Sequence, residues 1–212
     1  MNDTMNDAAP KLGFYASIAS FIAVVGYGVA QIAQVLGLVG YPLADILIFA
    51  FSLCISVPFL IAVLALQDTV GAGKRLWTQG ALAFGVMYVT FAVLMYTVQL
   101  SVVIPKSIEA PSSGVLGVSP QSLFWDIDAL AYIAMGISTT FAALALSPAD
   151  PGRWARRFLL AHGVMTPIIA FNYFYPHFST VLLLIGSPWL ITATGSLLAL
   201  AFYFRSLGGR NG

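Results

Sequence analysis

The sequence contains very little charge. Only 8% of its 212 residues are Asp, Glu, Lys or Arg, whereas a soluble domain carries roughly 25%. Hydrophobic residues make up 59% of the chain, and the mean hydropathy is +0.91. This composition excludes a water-facing surface over most of the chain. The formal net charge is +1 and there is no acidic or basic tail, so nucleic acid is not an expected partner.

Cysteine and the familiar catalytic motifs are also scarce. Cys54 is the only cysteine, which excludes intramolecular disulfides, CxxC redox chemistry and thiolate metal clusters. HExxH and GxSxG are absent, and the segment 71–75 lacks the residues that a phosphate loop requires. The segment 24–28, Val-Val-Gly-Tyr-Gly, lies inside a long apolar run, so a potassium-channel filter is not expected there. The sequence therefore identifies no cofactor.

What the sequence does contain is six long apolar segments. A bilayer core about 30 Å thick is crossed by about 20 helical residues. The sequence therefore predicts an all-α, polytopic membrane protein that forms one integral domain over residues 1–212. Its six predicted transmembrane helices cover about Leu12–Leu38, Leu43–Leu66, Trp77–Ile104, Leu123–Leu146, Phe158–Tyr175 and Phe178–Phe204.

The basic residues predict how these helices are oriented. Cytoplasmic loops retain Lys and Arg, whereas short translocated loops lack them. Lys106 alone lies on one side of the predicted membrane. The other eight basic residues lie on the opposite side: Lys11, Lys74, Arg75, Arg153, Arg156, Arg157, Arg205 and Arg210. This pattern predicts a multi-pass protein of the inner (plasma) membrane with both termini in the cytoplasm.

Several helix ends and connections can also be predicted. Asp150 followed by Pro151 is typical of an N-cap with proline at the first helical position. Pro167 near the middle of the fifth segment predicts a kink. The connection from Pro105 to Ser122 is rich in Pro, Ser and Gly, which predicts an exposed extracytoplasmic loop.

Polar residues recur at helical spacing within the apolar segments. Tyr27, Gln31 and Gln34 share one face of the first segment, and Tyr96 and Gln99 share one face of the third. The predicted topology directs a larger group of polar side chains toward the extracytoplasmic side: Gln31, Gln34, Asp45, Gln99, Asp126, Asp128, Asn172 and His177. The sequence therefore predicts one polar layer in the outer half of the bundle.

Asp128 is the strongest site candidate in this layer, because an ionisable residue inside a membrane segment is a functional candidate by default. The leading hypothesis is a non-enzymatic bundle whose outward-facing pocket binds a small polar or amphiphilic ligand, in transport or sensing. Asp128 is its charged anchor. The other candidate ligand-binding residues are Tyr27, Gln31, Gln34, Asp45, Tyr96, Gln99, Asn172 and His177. The alternative is that these groups only form hydrogen bonds between helices.

Two further functions fit the same sequence. The chain is an accessory subunit of a larger membrane complex, with other membrane subunits as partners, or it is an intramembrane metal-dependent lipid hydrolase. The second alternative draws on Asp45, Asp126, Asp128 and His177, which combine oxygen and imidazole ligands, with the metal unknown.

Two features lie toward the predicted cytoplasmic side. His162 is interpreted as a proton relay or as a hydrogen-bond partner of a neighbouring helix, with Gln79 within reach. The arginines at 153, 156 and 157 either hold anionic lipid headgroups or only reflect the charge asymmetry of the topology.

The segments Tyr96–Val103, with sequence YTVQLSVV, and Leu123–Tyr132, with sequence LFWDIDALAY, resemble hypothetical six-helix bacterial membrane proteins of unassigned role. The resemblance covers two of the six predicted helices. It implies a bacterial inner-membrane setting and no particular chemistry.

Overall fold

A computed structural model describes residues 8–109, 116–177 and 179–208, and the regular structure within these ranges is entirely helical. The all-α prediction is therefore confirmed for the described part. Arg210 and residues 110–115 of the predicted loop lie outside the described residues.

Eight α-helices follow one another within the described residues. A 3₁₀ turn, Ala72–Lys74, precedes the third helix, and a π-helical turn, Gln99–Val103, joins the third to the fourth. The helices are α1 (Ala8–Val35), α2 (Leu43–Thr69), α3 (Arg75–Val98), α4 (Ile104–Glu109), α5 (Leu123–Ala145), α6 (Arg153–Phe174), α7 (Thr180–Gly186) and α8 (Pro188–Gly208).

Five helical stretches are long and apolar enough to cross a membrane, whereas α6 does not meet that description. Its first residues include Arg153, Arg156 and Arg157, and Asn172 lies near its end. These residues lower its apolar character although it is 22 residues long. The five stretches are Ala8–Val35, Leu43–Thr69, Ala72–Glu109, Leu123–Ala145 and Leu184–Gly208.

The six long helices form a closed ring. Each of α1, α2, α3, α5, α6 and α8 packs against the next in that order, and α8 packs against α1. Neighbours in sequence are therefore neighbours in space, as expected for helices joined by short connections. A ring of this kind leaves a central space toward which all six helices can direct side chains.

The distribution of polarity across α1 is the reverse of that in a soluble helix. Ser20 is fully buried, and its hydroxyl donates a hydrogen bond of 3.1 Å to the carbonyl oxygen of Ile55 on α2. Ile22 and Val29 on the outer face have 60% and 64% of their surface exposed. Small and polar residues thus face the bundle and large apolar residues face outward, as predicted, and such an outer face suits lipid.

Glycine permits close packing between α5 and α6. A Cβ atom on Gly136 would collide with the hydroxyl oxygen of Thr166, and a Cβ atom on Gly163 would collide with that of Thr140. Each helix therefore supplies one glycine and one threonine to a reciprocal contact. A residue with a Cβ atom fits at either position only if the facing threonine moves, and such close contacts at small residues are typical of helix pairs in membranes.

Two predictions about helix boundaries are wrong. The helix α6 begins at Arg153, with Gly152 at the N-cap position and no side-chain cap. The Asp150 carboxylate instead forms an ion pair with the Arg153 guanidinium at 3.5 Å. The two residues are three positions apart, and this spacing allows such a pair. The sixth predicted span is also not one helix, since α7 ends at Gly186 and α8 begins at Pro188.

Candidate functional site

The ring of helices encloses a cavity of about 760 Å³, within the range of roughly 300–1,000 Å³ that is usual for small-molecule sites. It lies toward the end of the bundle that carries α4, α7 and the connection between α1 and α2. Its lining includes Leu36 and Tyr41 from that connection, Ser107 from α4 and Leu184 from α7. All six long helices contribute to the lining, and most of the lining side chains are apolar.

Eight of the nine ligand-binding residues suggested by the sequence line this one cavity. They are Tyr27, Gln31, Gln34, Asp45, Tyr96, Gln99, Asp128 and Asn172. His177 is the exception. It is exposed in the connection before α7, with its ring 6.2 Å from that of Tyr175. His177 therefore does not line the cavity, and helical spacing carries no information on where a loop side chain points.

Asp128 is buried on α5 and lies at the centre of a hydrogen-bond cluster. The Tyr96 hydroxyl on α3 donates to one carboxylate oxygen at 2.7 Å, and the Tyr173 hydroxyl on α6 donates to the other at 2.6 Å. The Tyr96 hydroxyl also lies 3.3 Å from the Tyr132 hydroxyl. Three helices are thus connected through one carboxylate, and both of its oxygen atoms have a donor.

A second chain of polar groups runs along α1 to α2. The Tyr27 hydroxyl donates to Gln31 at 3.4 Å, and the Gln31 amide donates to Gln34 at 3.0 Å. The Gln34 amide donates in turn to the Asp45 carboxylate at 2.8 Å. The spacing of i, i+4 and i, i+3 places the first three side chains on one helix face. This chain brings a second carboxylate to the cavity.

Two amide side chains of the cavity lining donate hydrogen bonds to backbone carbonyl oxygens of other segments. The Gln99 amide is buried at the start of the π-helical turn and donates to the Leu116 carbonyl oxygen at 2.7 Å. The Asn172 amide donates to the Leu182 carbonyl oxygen on α7 at 2.8 Å. The Asn172 side-chain oxygen is buried without a hydrogen-bond partner among the described residues.

Aromatic side chains form much of the cavity lining, and each of the six long helices contributes at least one. We call this set the aromatic wall. It consists of Tyr27 on α1, Phe49 on α2, Tyr96 on α3, Trp125 and Tyr132 on α5, Tyr173 on α6, and Trp189 on α8.

The rings of the aromatic wall pack against one another. Trp189 meets Tyr132 edge-on with 5.0 Å between ring centroids, and it meets Tyr27 at 5.7 Å. Trp125 and Tyr173 lie 4.6 Å apart. Such pairs hold each other's orientation, so the ring faces are fixed before a ligand enters.

The charged groups that line the cavity are all acidic. Asp45 and Asp128 are the only charged residues of its described lining, which contains no Lys, Arg or His. Within residues 8–109, 116–177 and 179–208, the only ion pair joins Arg153 to Asp150, neither of which lines the cavity. The cavity therefore presents a negative electrostatic potential to a ligand.

The metal set suggested by the sequence is not assembled in the described part of the chain. No group of three His, Cys, Asp or Glu side chains is close enough there to hold an ion. Asp126 is exposed, although it is only two residues from buried Asp128, because two residues turn a helix by about 200°. His177 is exposed as well. Of the four proposed ligands, Asp45 and Asp128 thus line the cavity, whereas Asp126 and His177 do not.

His162 belongs to the middle of the bundle and not to the polar cluster. It is buried, and its Nδ1 lies 3.2 Å from the Thr192 hydroxyl on α8. Its ring is 5.9 Å from that of Trp189. The partner helix is therefore α8, whereas the sequence suggested Gln79 on the third segment.

Tyr173 and Trp189 are the principal site residues that sequence reasoning missed. Both are aromatic and lie within one turn of a helix end, where Tyr and Trp ordinarily mark the membrane interface. The sequence offered one indication of a role for Tyr173, because this residue follows Asn172, a candidate ligand-binding residue. Trp189 lay within the predicted sixth helix, and the break at Ser187 places it at the start of α8.

These side chains together can bind a small molecule through a carboxylate, several amides and a set of aromatic faces. The chain matches no protein-family model, no curated protein and no solved structure.

Proposed function

We propose that this chain is a six-helix bacterial inner-membrane protein whose outward-facing cavity binds a small amphiphilic ligand, in transport or sensing. One observation carries the proposal. Polar residues that are separated along the sequence but share helical spacing converge on one cavity of about 760 Å³. Polar groups that served only to join helices would not need to surround a space of that size. The apolar majority of the lining matches an amphiphilic ligand.

The proposed orientation draws on the positions of the basic side chains. Lys74 donates to the Leu144 carbonyl oxygen at 3.3 Å, and Arg156 donates to that of Leu146 at 2.9 Å. Both side chains thus gather where α5 ends, whereas the cavity includes Asp128 near the start of α5. By the positive-inside rule the cavity then faces the extracytoplasmic side. In this arrangement α6 is the sixth spanning helix, and both termini are cytoplasmic.

A matched pair of glycines tests this topology. Gly40 and Gly73 lie in different connections, and a Cβ atom at either position would meet no other atom within 4 Å. In a Cys54→Ser background, we expect Gly40→Cys to react with a membrane-impermeant maleimide in intact spheroplasts. Gly73→Cys should react only after the spheroplasts are lysed. The reverse pattern would overturn the proposed orientation.

A second pair of residues tests whether small molecules reach the cavity. Ser52 lines it, whereas Ser56 lies one turn further along α2, is fully buried and does not line it. With the protein in lipid nanodiscs and Cys54→Ser as background, we expect Ser52→Cys to react with N-ethylmaleimide at least about tenfold faster than Ser56→Cys, because only a thiol at position 52 borders the cavity through which the reagent reaches it.

Ligand binding is then measured as protection of the thiol at position 52. Three probes of similar size are used: the cation benzyltrimethylammonium, its neutral carbon isostere neopentylbenzene, and the anion benzylsulfonate. The proposed function expects at least one of them to slow the modification in a saturable manner. Equal reactivity of the two thiols, or no protection by any probe, would remove the proposed pocket.

A further inference from the structure

We propose that the ligand is a monovalent organic cation, an amine or quaternary ammonium group with an apolar substituent, held between Asp128 and the aromatic wall. This inference rests on the proposed function and names the ligand class for that same cavity. Three independent features of the described residues support it: the sign of the charge, the arrangement of the rings, and two buried polar atoms without partners.

The first feature is the charge on Asp128. Each of its two oxygen atoms accepts a hydrogen bond, at 2.6 Å and 2.7 Å, and an ionised carboxylate is an acceptor only. The geometry therefore suits an ionised carboxylate. No basic side chain of the described lining offsets that charge. A buried carboxylate in surroundings of low dielectric attracts a cation much more strongly than it would in water.

The second feature is the position of the aromatic faces around the carboxylate. Tyr96 and Tyr173 contact Asp128 directly, and Tyr132 contacts Tyr96. The rings of Trp189 and Tyr27 continue the same surface. A cation within about 6 Å of a ring face is attracted by the ring quadrupole, and sets of such rings are the usual way to bind quaternary ammonium groups.

The third feature is a pair of polar atoms that line the cavity region without partners. Trp189 is 93% buried, since only 7% of its surface is exposed, and its indole N–H has no acceptor in the described part of the chain. The Asn172 side-chain oxygen likewise has no donor there. Buried polar groups nearly always have a partner. The N–H group of an amine ligand would supply the donor that the Asn172 oxygen lacks.

The same features argue against other ligand classes. An anion would face two carboxylates without a compensating basic group in the described lining. A hard inorganic cation prefers six or more oxygen ligands, whereas no cluster of three acidic, His or Cys side chains exists among the described residues. Rings and aliphatic side chains around one carboxylate instead match a charge that carries its own apolar substituent.

The three probes described above separate this inference from the proposed function. Benzyltrimethylammonium and neopentylbenzene have the same shape and differ only in a positive charge. We expect the cation to half-protect the Ser52→Cys thiol at a concentration roughly tenfold or more below that of the neutral isostere. Benzylsulfonate should not protect. If the neutral or anionic probe protects as well as the cation, the cavity still binds ligands but the inference of a cation is wrong.

Two carboxylates on α5 provide matched variants for the same assay. Asp128→Asn keeps the shape of the side chain and removes the charge inside the cavity, whereas Asp126→Asn removes an exposed charge two residues away. We expect Asp128→Asn to raise the half-protecting concentration of the cation roughly tenfold and to leave that of the neutral isostere within about threefold.

Asp126→Asn should leave both probes unchanged. Equal effects of the two substitutions on the cation would contradict a specific role for Asp128. The comparison of the three probes uses unaltered Asp128, so it decides the question of charge even if the Asp128 variant does not fold.

Discussion

Substitution of Asp128 by leucine is expected to lower the free energy of unfolding by about 4 kcal/mol. The reason is that the hydroxyl groups of Tyr96 and Tyr173 lose their carboxylate acceptor, which leaves Tyr96 only its longer contact with Tyr132, and each unsatisfied buried donor costs about 1–3 kcal/mol. Asp128→Asn retains one acceptor oxygen, so we expect a loss of only about 1–2 kcal/mol. The measurement is reversible unfolding in mixed detergent micelles, followed by circular dichroism.

Two comparisons show whether the cost arises from these hydrogen bonds. Asp126→Leu changes an exposed residue on the same helix and should alter stability by less than about 0.5 kcal/mol. The Tyr96→Phe and Tyr173→Phe double variant lacks both hydroxyl donors, so that loss of the Asp128 carboxylate leaves neither of them without an acceptor. Asp128→Leu should therefore cost much less in that background. An unchanged cost there would show that the hydroxyl groups are not the source of the effect.

The second large effect is expected at the contact between α5 and α6. Gly136→Leu should cost about 3 kcal/mol, because overpacking of a close contact typically costs about 1–3 kcal/mol and the Cβ atom alone already collides with Thr166. Gly136→Ala should act in the same direction with a smaller effect. The same unfolding measurement applies to both variants.

The partner residue provides the control. Thr166→Ala removes the hydroxyl oxygen nearest to the added Cβ atom, so we expect Gly136→Ala to be better tolerated in that background. The coupling between the two substitutions should be about 1 kcal/mol or more, as is usual for residues in direct contact. Strictly additive effects would mean that the two helices separate instead of clashing.

The inner faces of the helices could be predicted because a helix repeats every 3.6 residues. Tyr96 and Gln99 were expected on one face of the third segment, and both are buried within the bundle. The same rule placed Tyr27, Gln31 and Gln34 together. Spacing identifies a shared face without any knowledge of the partner helix, and so eight of the residues that line the cavity could be named in advance.

Features that depend on neighbouring helices or on chain breaks could not be predicted in this way. The role of Tyr173 requires that α6 approach α5, which no local pattern encodes. The break between α7 and α8 did have a local signal, Gly186-Ser187-Pro188, since proline favours the first turn of a helix. That signal was outweighed by the continuous apolar run around it. Hydropathy reports burial in lipid and carries little information on helix continuity.

The aromatic wall makes the cavity observable by tryptophan fluorescence. Trp125 and Trp189 line the cavity, whereas Trp77 and Trp154 belong to the parts of α3 and α6 that begin at the opposite end of the bundle. Indole emission depends on the polarity and the quenchers around the ring. With Trp77 and Trp154 replaced by phenylalanine, the tryptophan fluorescence of this chain would arise entirely from the cavity, and its occupancy would be measurable without any attached dye.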